Sequence, residues 1–305
     1  MERRDRAVAP AKPGAGAALL GQYRLPVLFL GPAVLLVLLV NFVPLGYALV
    51  YSVYRTEFVR RVSFLGLRYY LRFLTDPEGL NNVLRTFQYV FGSLALALPL
   101  GLLIALLIHR VEKGKTFFRT LIILPWIVSQ IITALTWSWL VNPQFGPVTY
   151  FVREGFGGAF NALGTPTGAM ATLVLANVWH SFPYPMLLIL AALQTVPREA
   201  IEAALVEGAS RWTRLFRIRL PLIRNTILIA TVMMTIHYFN MVTLPLVLTG
   251  GGPAGATEVM AIRVYREAFQ LFHVGYASAI AVYMFLFNIL FSVIYVRILR
   301  GEGHA

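Results

Sequence analysis

Four polar side chains recur at one helical spacing inside an otherwise apolar run. Asn177, His180, Ser181 and Tyr184 stand at i, i+3, i+4 and i+7, which places them on one face of an α-helix. In a second apolar run His237, Asn240 and Met241 share a face, with Tyr238 adjacent. Amides, imidazoles and hydroxyls exchange hydrogen bonds with a polar partner. In hydrocarbon they are costly, so they are expected to face a bundle interior or a wet cavity. Bonding between helices for packing alone is the competing explanation. Trp179 lies off the first stripe and is expected to anchor packing or lipid contact.

Between these two runs lies a stretch of different character, EAALVEGASRWTRLFRIRLP, from Glu202 to Pro221. Pro197 suits a first helical turn, where a missing N–H is harmless, and a helix is predicted from there to about Glu207. Gly208 supplies a helix-ending turn, Ser210 caps a second helix, and Pro221 marks re-entry into the apolar phase. The segment therefore reads as a short helix–turn–helix. Arg211, Arg214 and Arg217 make a basic stripe beside Trp212, Leu215 and Phe216, while Glu199 and Glu202 share a face of the first helix. Ala203 and Ala204 leave a surface that another protein can approach closely. Physical chemistry alone leaves two uses open: an amphipathic loop lying on lipid headgroups, or a docking site for a partner.

Composition bounds what these groups can serve. Of 305 residues, 58% are hydrophobic and 13% charged, against about 25% charged in soluble domains. The chain has no cysteine, so disulfides, thiolate metal sites and cysteine nucleophiles are excluded. Its five histidines show no paired metal-ligand spacing, so no metal site is expected. The net charge of +13 is explained by basic residues flanking membrane segments and facing anionic lipid, without nucleic acid. No GxxxxGK[ST] phosphate loop occurs in the chain.

The elements that must position these residues are membrane helices. Several runs reach the roughly 20 apolar residues that cross a bilayer. They predict an all-α membrane protein with six spans, near 25–51, 84–109, 117–141, 169–194, 222–248 and 275–299. Residues 1–22 read as a disordered tail and 23–305 as one six-helix domain. Pro44, Pro99, Pro125, Pro183, Pro185 and Pro245 punctuate the spans and are expected to kink them. With both termini inside, the inner segments hold 17 of the 26 Lys and Arg residues. That bias favours cytoplasmic termini and a cytoplasmic helix–turn–helix. The first outer loop dissents, with Arg55, Arg60, Arg61, Arg68, Arg72 and, at its edge, Arg85.

The pattern Glu202, Ala203, Ala204, then Gly208, then Ile218, Leu220 and Pro221 resembles the EAA loop of binding-protein-dependent ABC importers. FFRTLIILPWIV (117–128), LQTVPREAIEAALVEGAS (193–210), VLTGGGPAGATE (247–258) and YREAFQLFHVGYASAIAV (265–282) resemble the carbohydrate-uptake permeases of the maltose and glycerol-phosphate type. Three positions depart from the family pattern: Glu207 where Asp is usual, Asn225 where a proline is common, and Tyr69–Tyr70 in place of an Asn-Tyr pair. The resemblance implies that Glu202, Ala203, Ala204, Glu207, Gly208 and Ala209 form a coupling element seated in a cleft of an ATPase subunit. It implies that Asn177, His180, Ser181, Tyr184, His237, Tyr238 and Asn240 line a substrate path, rings stacking on a sugar and polar groups bonding its hydroxyls. It further implies a second homologous permease as heterodimer partner, two ATP-binding cassette subunits and an extracytoplasmic solute-binding protein. ATP and Mg would be bound by the ATPase partners, and this chain would carry no cofactor.

Two rival classes are weighed against this. An ion- or proton-coupled secondary transporter commonly places carboxylates inside the bilayer, whereas all 13 acidic residues here fall in predicted loops or tails. A membrane-embedded enzyme would need a nucleophile–base or metal constellation that the spans do not contain.

Overall fold

The computed structural model describes residues 15–156 and 161–301, with side chains over 28–155 and 161–298. It divides into two compact units, residues 1–50 and 51–305. The first unit holds nearly all of helix α1, Ala15–Tyr51. Residues 15–22, expected in the tail, are already helical, because the Ala- and Leu-rich stretch before the span is a good helix former. The remainder of the expected tail, 1–14, lies outside the described residues.

The second unit opens with a feature that an all-α expectation omits. Strands β1, Tyr54–Glu57, and β2, Arg60–Phe64, pair antiparallel as a hairpin. The hairpin is docked by the backbone N–H of Gly275, which donates to Thr56 Oγ1 at 2.9 Å. Helix α2, Arg68–Thr75, comes next. Here three of the dissenting arginines find partners: Arg61 lies over the Tyr54 ring at 5.4 Å, Arg72 over Tyr276 at 4.7 Å, and Arg85 pairs with Glu78 at 3.5 Å. Guanidinium–ring stacking and ion pairing give these cations a local role that orientation statistics do not see.

Helix α3, Pro77–Arg110, is capped by Asp76, whose side chain accepts from the Glu78 N–H, with Pro77 in the first turn. Its 34 residues span about 50 Å at 1.5 Å per residue, so it extends past a hydrocarbon core of about 30 Å. The third predicted span is two helices, α4, Lys115–Ile127, and α5, Gln130–Leu140, meeting at 90°. The break comes just after Pro125, and Ser129 caps the second helix through the Ile131 N–H. Helix α6, Pro147–Phe156, precedes the fourth span, which is α7, Pro166–Ser181, and α8, Pro183–Gln194, bent by 41° where Pro183 removes a backbone donor.

Helix α9, Arg198–Val206, ends at Gly208, whose φ of +77° is a left-handed conformation that side-chain-bearing residues avoid. Ser210 then caps α10, Arg211–Arg214, by accepting from the Thr213 N–H at 3.1 Å. Contrary to the boundary expected at Pro221, the second helix does not stop there. It runs through a π turn, Leu215–Arg219, directly into α11, Leu220–Phe239, as one helix of 29 residues. The wide turn carries the Leu220 N–H to the Leu215 carbonyl just before the proline, so the missing Pro221 donor is absorbed without a break. The fifth span ends at Phe239, short of the predicted 248. A separate short helix α12, Thr243–Thr249, continues to the glycine-rich loop. Another helix not foreseen, α13, Met260–Tyr265, extends through a π turn, Arg266–Gln270, before α14, Val274–Gly301. Among the described residues four helices are long and apolar enough to cross a membrane, and up to six spans result if each bent pair counts as one.

Helix α3 is central to the packing. One buried cluster joins Tyr89 and Ala97 of α3 to Leu173, Tyr238, Met260 and Ile280. A second joins Ala105 and Ile108 to Met186, Ile189, Leu190 and Ile223. Between them Gly101 lets α3 and α8 touch, since a Cβ there would meet the Pro185 ring at 2.9 Å and the Phe182 carbonyl at 3.1 Å. Small residues of this kind permit close approach in lipid, where packing rather than water exclusion holds helices together.

Candidate functional site

The two polar stripes are brought to one place, but incompletely. His180 and Ser181 from α7, Tyr184 from α8, and His237 and Tyr238 from α11 line a cavity of about 230 Å³ with Trp126, Met233 and Met234. The Tyr238 hydroxyl lies 2.5 Å from Ser181 Oγ, which itself donates to the Asn177 carbonyl at 2.6 Å. With the serine proton so used, the tyrosine is the donor between the two hydroxyls. His180 Nδ1 is 3.3 Å from Thr133 Oγ1 of α5. The Trp126 and Tyr184 rings are 5.9 Å apart at 42°. The wall thus mixes aromatic faces, two imidazoles and hydroxyls.

Two predicted members do not line it. Asn177 is fully buried beside the cavity, and neither atom of its amide has a hydrogen-bond partner. Asn240 is exposed and its amide donates to the Ile236 carbonyl at 2.7 Å, within its own helix. It occupies the turn that ends α11, where the face continuing from His237 is lost. Met241 is buried, its sulfur accepting from the Tyr89 hydroxyl at 3.0 Å. Trp126, Met233 and Met234 were missed by spacing alone. Trp126 belongs to a different span, and nothing in helical periodicity aims one span at another.

The helix–turn–helix residues are organised by their own backbone. The Glu207 N–H donates to the Ala203 carbonyl at 3.1 Å, Gly208 to Leu205 at 3.0 Å, and Ala209 to Ala204 at 2.8 Å. Arg214 Nη1 donates to the Ala209 carbonyl at 2.6 Å, tying the second helix back to the turn. Glu202, Ala203, Glu207 and Gly208 are exposed, Ala209 is half-buried, and Ala204 is buried. Around them Val206 is 90% and Trp212 71% exposed, and Trp212 stacks on Phe216 at 5.9 Å. Apolar side chains this exposed beside charged ones are the composition of an interaction surface.

A third assembly was not anticipated. Glu258 and Glu267, expected in loops, are both buried. Arg266 bonds Glu258 at 2.7 Å, Arg263 lies 3.9 Å from Glu258 and 2.9 Å from Glu267, and His273 meets Glu267 at 2.9 Å. Asn82 of α3 donates to the Glu258 carbonyl at 2.8 Å, and Thr86 Oγ1 accepts from the Met260 N–H at 2.8 Å. Arg266 also bonds the Gly250 carbonyl. These carboxylates are each matched by a cation and fasten the glycine-rich loop to α3 and α13. They form a bracing network, with no chain of unpaired carboxylates such as a proton relay would need.

Comparison with known proteins accords with this architecture. Residues 97–302 match the family model of binding-protein-dependent transport system inner membrane components. The trehalose/maltose transport system permease protein MalF of Thermococcus litoralis is 35% identical over 243 residues, covering 80% of this chain and 82% of that one. The sn-glycerol-3-phosphate transport system permease protein UgpA of Brucella abortus is 31% identical over 282 residues, covering 92% and 96%. The sulfoquinovosyl glycerol transport system permease protein SmoG of Agrobacterium fabrum is 31% identical, covering 93% and 92%. A chain from the crystal structure of a bacterial alginate ABC transporter, in complex with alginate pentasaccharide-bound periplasmic protein, superposes with a TM-score of 0.82. It is 19% identical and covers 94% of this chain and 98% of its own, a likeness of fold. With its apolar spans, its helix–turn–helix and these relatives, the chain belongs to the family of binding-protein-dependent transport system inner membrane components, the membrane-spanning permease subunits of ABC importers.

Proposed function

We propose that this permease carries a sugar or a glycerol-phosphate compound through the cavity formed by Trp126, His180, Ser181, Tyr184, His237 and Tyr238. The carrying observation is that this cavity and the helix–turn–helix share one helix. Residues 211–239 are continuous, so Arg211, three residues past the turn at Gly208, and the cavity wall at Met233 lie on one helix about 33 Å apart at 1.5 Å per residue. A displacement at the loop is passed to the start of this helix, which Arg214 ties to the turn through the Ala209 carbonyl, and along it to His237 and Tyr238.

In this reading Glu202, Ala203, Ala204, Glu207, Gly208 and Ala209 meet an ATPase subunit on the cytoplasmic side, together with the exposed Val206. Both termini are cytoplasmic, and the β1–β2 hairpin faces outward toward a solute-binding protein. A second, homologous permease completes the pathway as a heterodimer. Two ATP-binding cassette subunits bind ATP and Mg and hydrolyse the nucleotide, and this chain contributes no catalytic group. ATP-driven closure of the ATPases moves the loop and opens the cavity outward, and hydrolysis resets it inward. Rings lie against the C–H face of the solute while imidazoles and hydroxyls exchange hydrogen bonds with its hydroxyls. The names of the relatives, which include trehalose/maltose and sn-glycerol-3-phosphate permeases, support the substrate class.

The test is uptake by proteoliposomes containing the assembled complex, binding protein and a panel of mono-, di- and oligosaccharides and glycerol-3-phosphate. Import of one of these that requires internal-face ATP is the expected result. Uptake driven by an ion gradient without ATP would overturn the proposal in favour of a secondary transporter.

A further inference from the structure

Two adjoining recesses at the end of α3 share three arginines. One, of about 240 Å³, is lined by Arg110, Arg211, Arg214 and Arg219. The other, of about 450 Å³, is a groove along α3 walled by Leu102, Leu103, Leu106 and Leu107, with Trp212 and Leu215 opposite, and Arg110, Arg211 and Arg219 at its mouth. No carboxylate lines either recess. Among the described residues no ion pair involves these four arginines, and the hydrogen bond of Arg214 goes to a backbone carbonyl.

Local helix electrostatics explains only one of them. Arg110 is the last residue of α3, where the helix dipole favours a cation. Arg211 and Arg214 stand at the start of the 211–239 helix, where the dipole disfavours one. Four like charges gathered there repel each other and call for an anion. Their position supplies one: α3 ends its apolar run at Arg110, so the cluster lies at the depth where hydrocarbon gives way to phosphate. Basic pockets between spans at that depth recognise lipid headgroups.

We propose that this composite site binds one anionic phospholipid, its phosphate among the four arginines and an acyl chain along Leu102–Leu107. The groove selects a lipid over a soluble anion, which would leave it empty. Charge selects an anionic lipid over a zwitterionic one, which would bring its own cation against the arginines. The inference is independent of the transported solute, because it rests on α3 and the start of the 211–239 helix rather than on the central cavity.

The test is lipid retention by the purified assembled complex, read by native mass spectrometry after exposure to phosphatidylglycerol or phosphatidylcholine of matched chains. The parent is expected to retain phosphatidylglycerol preferentially. Arg110→Gln with Arg219→Gln is expected to lower that retention about 25-fold, at about 1 kcal/mol for each of two cations and 1.4 kcal/mol per decade. Leu103→Trp, at a side chain 54% exposed and so outside the core, is expected to fill the groove and do the same with every arginine intact. Equal retention of the two lipids overturns the proposal. So does a Leu103→Trp complex that keeps phosphatidylglycerol while inorganic phosphate displaces it, which would indicate a headgroup-only anion site. Arginine variants that lose the ATPase subunits but retain lipid would assign the surface to a protein interface, and also overturn it.

Discussion

Tyr184→Ala and Asn240→Ala make a decisive pair, because the two residues share a place in the sequence pattern but not in the structure. Tyr184 faces the cavity, its ring 5.9 Å from Trp126. Asn240 is exposed and bonds only the Ile236 carbonyl of its own helix. Removing the tyrosine takes away a ring and a hydroxyl at the proposed substrate wall. A lost hydrogen bond that leaves a partner unpaired costs about 1–3 kcal/mol. At 1.4 kcal/mol per decade that is about 5- to 150-fold in affinity or transport rate. Asn240→Ala removes a bond inside one helix turn and leaves the cavity wall whole, so its effect on transport should stay below about threefold. The assay is initial-rate uptake by proteoliposomes, with ATPase subunit retention and basal hydrolysis as controls for assembly. Parental uptake by Tyr184→Ala would refute the cavity as the substrate path. Equal impairment by the two variants, with assembly intact, would show that exposure to this cavity is not what matters.

Perturbations at the loop, the hairpin and the buried ion pairs test other parts of the molecule. Gly208→Val should uncouple hydrolysis from uptake: at φ +77° a side chain costs roughly 1–2 kcal/mol of backbone strain, although nothing lies within 4 Å of a Cβ there. Coupling equal to the parent in Gly208→Val and in Glu202→Lys would remove this loop from the energy path. Ser63→Cys, in the exposed strand β2 of a chain without cysteine, should react with an impermeant maleimide on intact cells, and labelling only after lysis would invert the proposed topology. Arg263→Ala should lower the melting temperature of the complex, because it strips Glu267 of its guanidinium partner and Glu258 of one of two. Breaking a buried pair of this sort costs about 3 kcal/mol or more, and melting at the parental temperature would show that the network braces nothing.

Much of the molecule is a local property of its sequence. Apolar run length determined the spans, because a helix is the only single-segment structure that satisfies its own backbone in lipid. The turn at Gly208 and the cap at Ser210 were legible for the same local reason, since positive φ and orphan N–H groups are settled within a few residues. The facing of the span-four stripe was legible as far as one helix carries it. What remained undetermined was everything that depends on the rotation and bending of one helix against another. Hydropathy is a sum along the chain and is unchanged by a right-angle turn, so a kink could be expected at Pro125 but not that the span divides there into two helices at 90°. Periodicity sets a residue's angle about its own axis and ends where the helix ends, which is why Asn240 was grouped with His237 but left the cavity. Trp126 joined that cavity, Glu258 and Glu267 were buried against Arg263 and Arg266, and Arg110 came to meet Arg211, Arg214 and Arg219, only because distant segments pack together. Those convergences are set by side-chain shape and charge across the bundle, and tertiary structure alone decides them.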